Sequence, residues 1–159
     1  MTTLRIGLVA TLVGLLVLGV AVAQKGDPKK DTKVVLPKVV DGARADLGKL
    51  APDFALKELD GKEHSLTRYA GKIVVLEWMN PGCPVCREVC EEGKVGSMMK
   101  SCKEMDSDVV FLFVNSTAAT ANDPKSSADY LAKNKIEAPA LIDGDGKVGH
   151  AYGAKTTPH

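Results

Sequence analysis

Three apolar runs separated by helical segments constrain the fold of this chain most strongly. The runs occupy residues 72–78, 108–115 and 138–142 and are rich in Val, Leu, Ile and Phe. Apolar runs without regular alternation are typical of strands buried on both faces of a sheet. Between the last two runs, residues 126–129 form a capping-box pattern that predicts a helix through Ala132. Strand, helix, strand, helix, strand predicts an α/β fold with parallel neighbouring strands.

Turn signals divide the rest of the domain. Asp60-Gly61 predicts a tight turn between a short strand at residues 54–59 and a partner strand at residues 63–66. The run from Asp143 to Gly146 lacks the further acids of a calcium loop, so it predicts a simple turn after the third apolar run. These signals add a hairpin to the α/β layer.

The helix expected after the first apolar run contains two glycines. Gly93 and Gly96 would each cost it about 1 kcal/mol relative to Ala, so we expect a break between them and a helix again at residues 97–105. The break bears on Cys90 and Cys102, which would lie roughly 18 Å apart on an unbroken helix. A structural pair, unpaired buried thiols and a redox role all stay open for these two cysteines.

The N-terminal segment predicts export. Arg5 precedes residues 6–23, an uncharged stretch that ends in Ala21-Val22-Ala23, a pattern that signal peptidases cleave. Residues 1–23 are therefore predicted to be a signal peptide, with an uncleaved membrane anchor through residues 6–23 as the alternative. Both place the rest of the chain in the periplasm or outside the cell. There the four cysteines need not be free thiols, and their connectivity stays open.

The remaining sequence divides into a tether and one domain. Residues 24–49 are rich in Lys, Asp and Pro and predict a polar tether, and residues 50–159 predict the folded domain. The 159-residue chain has 21 basic and 20 acidic side chains, a net charge of +1. This balance does not favour nucleic-acid binding.

The residues that carry chemistry are Cys83 and Cys86. They follow a predicted buried strand and precede a predicted helix, and Pro84 suits the first helical turn, where no backbone N–H is needed. The dipole at a helix start stabilises an anion, so a thiol there has a lowered pKa. We infer that the Cys83 thiolate attacks a substrate disulfide and that Cys86 releases the mixed disulfide.

The spacing of the cysteines allows other interpretations. The spacing of Cys83, Cys86 and Cys90 partly matches iron–sulfur motifs, but the strand–helix context argues against a metal site. Haem attachment requires a His where Arg87 stands. A structural Cys83–Cys86 disulfide in a redox-inert binding module is the plainest alternative. His64 and His150 are predicted to be surface residues, and no cofactor is predicted.

The segment from Val74 to Cys86 resembles the active-site segment of the thioredoxin-like redoxin family. That family groups exported thiol–disulfide oxidoreductases with peroxiredoxin-like alkyl hydroperoxide reductase/thiol-specific antioxidant proteins. Residues 51–62 and 145–158 are similar to the opening hairpin and the later half of those redoxins. The resemblance covers about residues 50–159 and implies a three-layer α/β/α thioredoxin-like fold.

The resemblance also implies roles for four residues. Cys83 would be the attacking thiol and Cys86 the resolving one. Pro158 would be a cis-proline beside the disulfide that presents backbone to the substrate. Glu77 would be a buried acid that helps to deprotonate the second thiol, and burial should raise its pKa. A solvent-facing glutamate at a strand end is the alternative for Glu77.

The expected partners are protein or small-molecule disulfides and thiols, together with an electron-donor thiol protein. Peroxides are a second substrate class, in which Cys83 would be a peroxidatic cysteine. The sequence departs from both branches of the family. Thioredoxins usually carry Trp where Gly82 stands, and peroxiredoxins carry Thr where Asn80 stands. Asn80 weakens the peroxidase alternative because a peroxide-binding hydroxyl is missing.

A thioredoxin-like fold continues after its cis-proline with a β-hairpin and a final helix. The sequence has one residue after Pro158. Two strands and a helix of ordinary size would add roughly 25–30 residues. We therefore expect the domain to lack these elements and the sequence to be a fragment of a longer protein.

Overall fold

The computed structural model of the protein describes residues 44–120 and 122–159. The predicted signal peptide or membrane anchor at residues 1–23 lies outside the described residues, and so does the predicted tether up to residue 43. In the part of the chain that is described, none of the helices is long and apolar enough to cross a membrane.

A mixed sheet forms the centre of the domain. Its strands are β1 (Leu56–Lys57), β2 (Glu63–His64), β3 (Ile73–Trp78), β4 (Val109–Asn115) and β5 (Ala140–Ile142). Their order is β2-β1-β5-β4-β3. β4 runs parallel to both β3 and β5, whereas β1 pairs antiparallel with β2 and with β5. The predicted parallel layer and hairpin are confirmed, although β1, β2 and β5 are shorter than predicted.

Helices cover both faces of the sheet. They are α1 (Pro84–Glu91), α2 (Lys94–Met105), α3 (Pro124–Lys133) and α4 (Lys147–Ala151), with a 3-10 turn at Leu66–Tyr69. On one face, Phe111 and Phe113 of β4 pack in a core with residues of α1, α2 and α3. On the other face, Leu112 and Val114 pack with residues of α4 and the 3-10 turn. Successive side chains of β4 thus point to opposite faces of the sheet, and helices on both faces form the three layers that the sequence predicted.

The core depends on aliphatic side chains as much as on aromatic ones. Leu112 of β4 and Leu141 of β5 are 0% exposed and belong to the same core on the α4 face. Burial of each stabilises the fold by about 2 kcal/mol. These two strands support β3, whose C-terminal end leads into the cysteine motif.

The first apolar run, β3, is an edge strand in the described sheet; both of its faces are covered, as predicted, but most of its residues are only partly buried. Its first residue, Ile73, is 52% exposed, and the strand pairs only with β4 among the described residues. The run is apolar because alternate residues contact both cores, with Val74 and Leu76 on one face and Val75 on the other. Contacts on both faces therefore explain the apolar run although one edge is open.

The predicted helix break occurs, but at one glycine only. Gly93 has φ 72° and separates α1 from α2, which begins at Lys94 and not at residue 97. Gly96 lies inside α2. The difference arises because Gly93 adopts the left-handed conformation that glycine tolerates without a steric cost, while Gly96 stays helical.

The third helix begins earlier than its predicted capping box. Asp123 is the N-cap of α3, and its carboxylate accepts a hydrogen bond from the backbone N–H of Ser126 at 3.1 Å. Pro124 follows as the first helical residue, where its fixed φ and missing N–H suit the helix start. The helix ends at Lys133, one residue after the predicted end at Ala132. The predicted cap at Ser126 is therefore wrong because Asp123 supplies a better acceptor.

The prediction of two surface histidines is half correct. His150 is exposed, but His64 is 1% exposed. Its Nε2 lies 2.5 Å from a carboxylate oxygen of Glu58, and its Nδ1 contacts the hydroxyl of Tyr69. Both ring nitrogens have partners, so His64 can be buried without the cost of an unsatisfied polar group.

Candidate active site

A tight turn after β3 positions the first cysteine. The backbone N–H of Cys83 donates to the carbonyl of Asn80 at 2.9 Å, and the side-chain oxygen of Asn80 accepts from the N–H of Gly82 at 2.8 Å. Such Asx turns are a usual role of Asn. Cys83 is the N-cap of α1, and Pro84 is the first helical residue, as predicted. The thiol therefore lies at the start of a helix.

The environment of Cys83 favours its thiolate. The backbone N–H of Cys86 is the main cause that lowers the pKa of Cys83, and the side chain of Thr157 lowers it further. In its protonated form, the thiol donates to the carbonyl oxygen of Thr157 at 3.1 Å. The helix dipole acts in the same direction as the backbone N–H. Cys83 therefore has the environment of an attacking thiol.

Cys86 has the opposite environment. It is 1% exposed and belongs to the core between the sheet and α1 to α3. Burial raises the pKa of Cys86 to about 11, although the backbone N–H of Asn80 acts against this shift. The two thiols of the motif thus differ in exposure and in acidity, as the division into attacking and resolving thiols requires.

The last residues of the chain form the opposite wall of the site. The peptide bond between Thr157 and Pro158 is cis. The next residue, His159, exchanges two backbone hydrogen bonds with Trp78, its carbonyl accepting at 3.0 Å and its N–H donating at 3.2 Å. These bonds hold the Thr157–Pro158 segment against the end of β3, next to Cys83. The cis peptide bond to Pro158 therefore follows the residue whose carbonyl contacts the Cys83 thiol.

Glu77 lies on β3 and is half-buried. Desolvation raises the pKa of its carboxyl, as predicted for an acid in a buried strand. The charge of Glu77 acts on Cys90, whose pKa is raised mainly by burial and further by Glu77. Cys90 follows Cys86 by one turn of α1, so this influence of Glu77 is on the thiol one turn beyond the motif.

The other two cysteines are unpaired. Cys90 is 5% exposed in the core below α1, whereas Cys102 is half-buried on α2 and packs against the same core. All four cysteines of the chain are free thiols in the structure. Cys90 and Cys102 therefore do not form a structural pair in the structure.

Sequence reasoning missed a residue that contacts the motif from α3. The hydroxyl of Tyr130 donates to the carbonyl of Cys86 at 2.8 Å. A hydrogen bond with the thiol of Cys90 contributes to a raised pKa of Tyr130, for which burial is the main cause. A lone Tyr in a helix, 44 residues after Cys86, has no local pattern that indicates this contact.

A polar groove of about 270 Å³ opens beside the site. Its walls are Trp78, Asn80, Ser116, Thr117 and residues 154–157. Asn80 and Thr157 also contact the cysteine motif, so the groove is continuous with the environment of Cys83.

Comparison with known proteins agrees with this geometry. The family model described as "AhpC/TSA family" matches residues 47–159. The chain belongs to the AhpC/TSA family. Among the relatives of this AhpC/TSA chain is the thiol-disulfide oxidoreductase ResA of Geobacillus thermodenitrificans (strain NG80-2), 28% identical over 113 residues. This match covers 70% of the chain and 60% of the relative, so the chain spans less than two thirds of that protein's length.

Solved structures share the fold of this AhpC/TSA chain. One is described as the thiol:disulfide interchange protein DsbE from Chlorobium tepidum, with 25% identity and a TM-score of 0.52, covering 78% of this chain and 75% of that one. Another is a secreted disulfide oxidoreductase of Mycobacterium tuberculosis, with 21% identity and a TM-score of 0.52, covering 66% of this chain and 71% of that one. The thioredoxin-like α/β fold expected from the sequence is confirmed.

Proposed function

We propose that the protein is an exported thiol–disulfide oxidoreductase that uses Cys83 and Cys86 as its redox pair. The observation that carries the proposal is the asymmetry of the two thiols. The pKa of Cys83 is lowered by backbone and side-chain hydrogen bonds at a helix start, whereas burial raises the pKa of Cys86 to about 11. One thiol is prepared to attack, and the other stays protonated until the first step has occurred.

The reaction then follows in two steps. The Cys83 thiolate attacks a substrate disulfide, forms a mixed disulfide and releases the first substrate sulfur as a thiolate. Cys86 loses its proton and attacks the sulfur of Cys83, which forms the Cys83–Cys86 disulfide and releases the second substrate thiolate. The two substrate sulfurs are reduced by two electrons and the protein pair is oxidised by two. An electron-donor thiol protein returns the pair to the dithiol.

Two further residues take part in this proposal. Glu77 is proposed to accept the proton of Cys86, supported by its half-buried position and its raised pKa. Pro158 is proposed to shape the backbone that contacts the substrate, supported by the approach of the Thr157 carbonyl to the Cys83 sulfur at 3.1 Å. Export of the domain is supported by the apolar segment at residues 6–23.

Asn80 gives little support to the peroxide-reducing alternative. Its side-chain oxygen already accepts hydrogen bonds from Gly82 and Thr120. The site therefore lacks the hydroxyl that peroxiredoxins place at this position. The ResA relative is named a thiol-disulfide oxidoreductase, which favours disulfide exchange for this chain as well.

A disulfide-exchange assay on the full chain tests the proposal. Wild type should reduce a protein disulfide with turnover, and Cys83→Ser should abolish the reaction. Cys86→Ser should accumulate the mixed disulfide on Cys83, which mass spectrometry detects. Cys102→Ser is the matched control, since this thiol lies on α2, away from the motif. Equal activity of wild type and the Cys83→Ser variant would contradict the proposal.

The reduction potential of the pair separates an enzyme from a structural disulfide. Equilibration in thiol redox buffers, followed by alkylation and mass spectrometry, should give a reversible couple between about −270 and −120 mV. A Cys83–Cys86 disulfide that persists at potentials below about −300 mV would instead indicate a structural bond in a redox-inert module.

A further inference from the structure

A chain of polar side chains connects α3 to the active-site turn. Asn115, at the end of β4, is 2% exposed, and its Nδ2 lies 3.0 Å from the hydroxyls of both Ser127 and Thr120. The hydroxyl of Thr120 in turn lies 3.2 Å from the side-chain oxygen of Asn80. The chain therefore runs from the third helix to the residue that builds the turn before Cys83.

The number of available protons determines the direction of these hydrogen bonds. The two protons on Nδ2 of Asn115 go to Ser127 and Thr120, so the Thr120 oxygen acts as an acceptor from Asn115. Its own single proton then has two acceptors within reach, Asn80 at 3.2 Å and the Asn115 oxygen at 3.4 Å. Each of these oxygens already accepts one backbone N–H, so the shorter distance assigns the Thr120 proton to Asn80.

Asn80 touches both cysteines of the pair. Its carbonyl accepts from the N–H of Cys83, and its own N–H donates towards the sulfur of Cys86. Its side-chain oxygen accepts a hydrogen bond from the N–H of Gly82. If residue 82 had a side chain, its Cβ would lie 3.3 Å from that oxygen, which is a tight contact. A glycine at this position, where thioredoxins usually have Trp, leaves room for the Asn80 side chain. The orientation of Asn80 therefore affects the geometry of both thiols.

We propose that Thr120 is a positioning residue for disulfide exchange. Its hydroxyl fixes the side chain of Asn80 and thereby the turn between β3 and Cys83. The backbone N–H of Asn80 in this turn is directed at the sulfur of Cys86. The inference rests on the proposed function, because it concerns the step in which Cys86 attacks Cys83. Thr120 contacts neither sulfur and acts only through Asn80. Its effect should therefore be largest on the second step, which needs the N–H of Asn80 directed at the Cys86 sulfur.

The test uses the full chain and Ellman's disulfide, which releases one coloured thiolate when Cys83 attacks and a second when Cys86 resolves the mixed disulfide. Stopped-flow absorbance separates the two phases, and Cys83→Ser and Cys86→Ser assign them. Thr120→Val should slow the second phase by about three- to tenfold, the factor expected for one hydrogen bond, and the first phase by less. Thr120→Ser, which keeps the hydroxyl, should restore the wild-type rate.

Thr67→Val is the matched control, because it makes the same chemical change and also removes a hydroxyl hydrogen bond, to Asp53 at 3.2 Å, at a residue outside the groove and the cysteine motif. Thr120→Ala removes the Thr120 hydroxyl with less bulk, so a folding defect specific to Val does not decide the result. Hydrogen exchange at the Gly82 amide is a second readout. It should become faster in Thr120→Val and stay unchanged in Thr67→Val.

The inference is overturned if Thr120→Val and Thr120→Ala keep the wild-type second phase, or if Thr120→Ser or Thr67→Val slows it equally. Failure of the proposed function gives a different result. In that case, wild type does not turn over protein disulfides, whatever residue stands at position 120. Wild-type turnover combined with identical behaviour of Thr120→Val and Thr67→Val would refute only the role of Thr120.

Discussion

Alkylation of the reduced protein should distinguish the two thiols of the motif sharply. The pKa of Cys86 is raised to about 11, so at pH 7 only about one molecule in ten thousand carries its thiolate. The pKa of Cys83 lies below the ordinary value of 9.0, so its thiolate fraction exceeds about one in a hundred. The thiolate populations of Cys83 and Cys86 therefore differ by at least about 100-fold.

Intrinsic nucleophilicity offsets part of this difference. A more basic thiolate attacks faster. With a Brønsted coefficient of about 0.4–0.5, a difference of about two pKa units makes the thiolate of Cys86 about tenfold more reactive than that of Cys83. The net prediction is that iodoacetamide modifies Cys83 at least about tenfold faster than Cys86 at pH 7. The burial of Cys86, which is 1% exposed, acts in the same direction. The rate at Cys83 should level off below pH 9, whereas the rate at Cys86 should rise until about pH 11.

The assay is a pH series of timed alkylations of the reduced full chain. Tandem mass spectrometry assigns the modified sulfur, since one tryptic peptide ending at Arg87 carries both thiols. Cys102, half-buried on α2, is an internal reference within each sample. Equal rates at Cys83 and Cys86 at pH 7, or faster modification of Cys86, would refute the assignment of attacking and resolving thiols.

Three further predictions concern stability, each measured by thermal unfolding followed by circular dichroism. Burial raises the pKa of Glu77 in the folded state, so its stabilising contribution is present at low pH and is lost as pH rises through that pKa. Glu77→Gln should therefore raise the unfolding temperature at pH 7 and much less at pH 4; an equal shift at both pH values would contradict this. Gly93→Ala should destabilise by about 1–2 kcal/mol because φ is 72°, whereas Gly96→Ala, inside α2 and without close neighbours, should stabilise by about 0.5–1 kcal/mol. If both alanine variants shift stability in the same direction, the assignment of the helix break to Gly93 is wrong. Tyr130→Phe should cost about 0.5–1.5 kcal/mol by removing the donor to the Cys86 carbonyl; unchanged stability would mean that this hydrogen bond contributes nothing.

The elements around the motif were predictable because their signals are local. A buried run, a Pro at the first helical position and a glycine that breaks the helix act within a few residues, and the structure contains β3, α1 and the break at Gly93. The start of α3 was predicted wrongly, although its signal is local too. Asp123 and Pro124 together form a stronger helix start than Ser126.

The features that sequence reasoning missed depend on contacts between distant residues. Thr120 and Asn80 are 40 residues apart, and Tyr130 and Cys86 are 44 apart. His64 is buried because Glu58 and Tyr69 satisfy both of its ring nitrogens, which a pattern of surface and core residues does not reveal. Such contacts arise from tertiary packing, so the composition and the residue spacing of the sequence do not predict them.

The single tryptophan of the chain is Trp78, the last residue of β3. Its indole is 4% exposed, donates to the hydroxyl of Ser116 at 3.0 Å and lies 5.8 Å from the ring of Tyr152. Indole fluorescence from this protein therefore originates at one site, five residues before Cys83. We expect the emission to respond to the oxidation state of the neighbouring sulfurs, which would provide an optical signal for the redox couple without any added label.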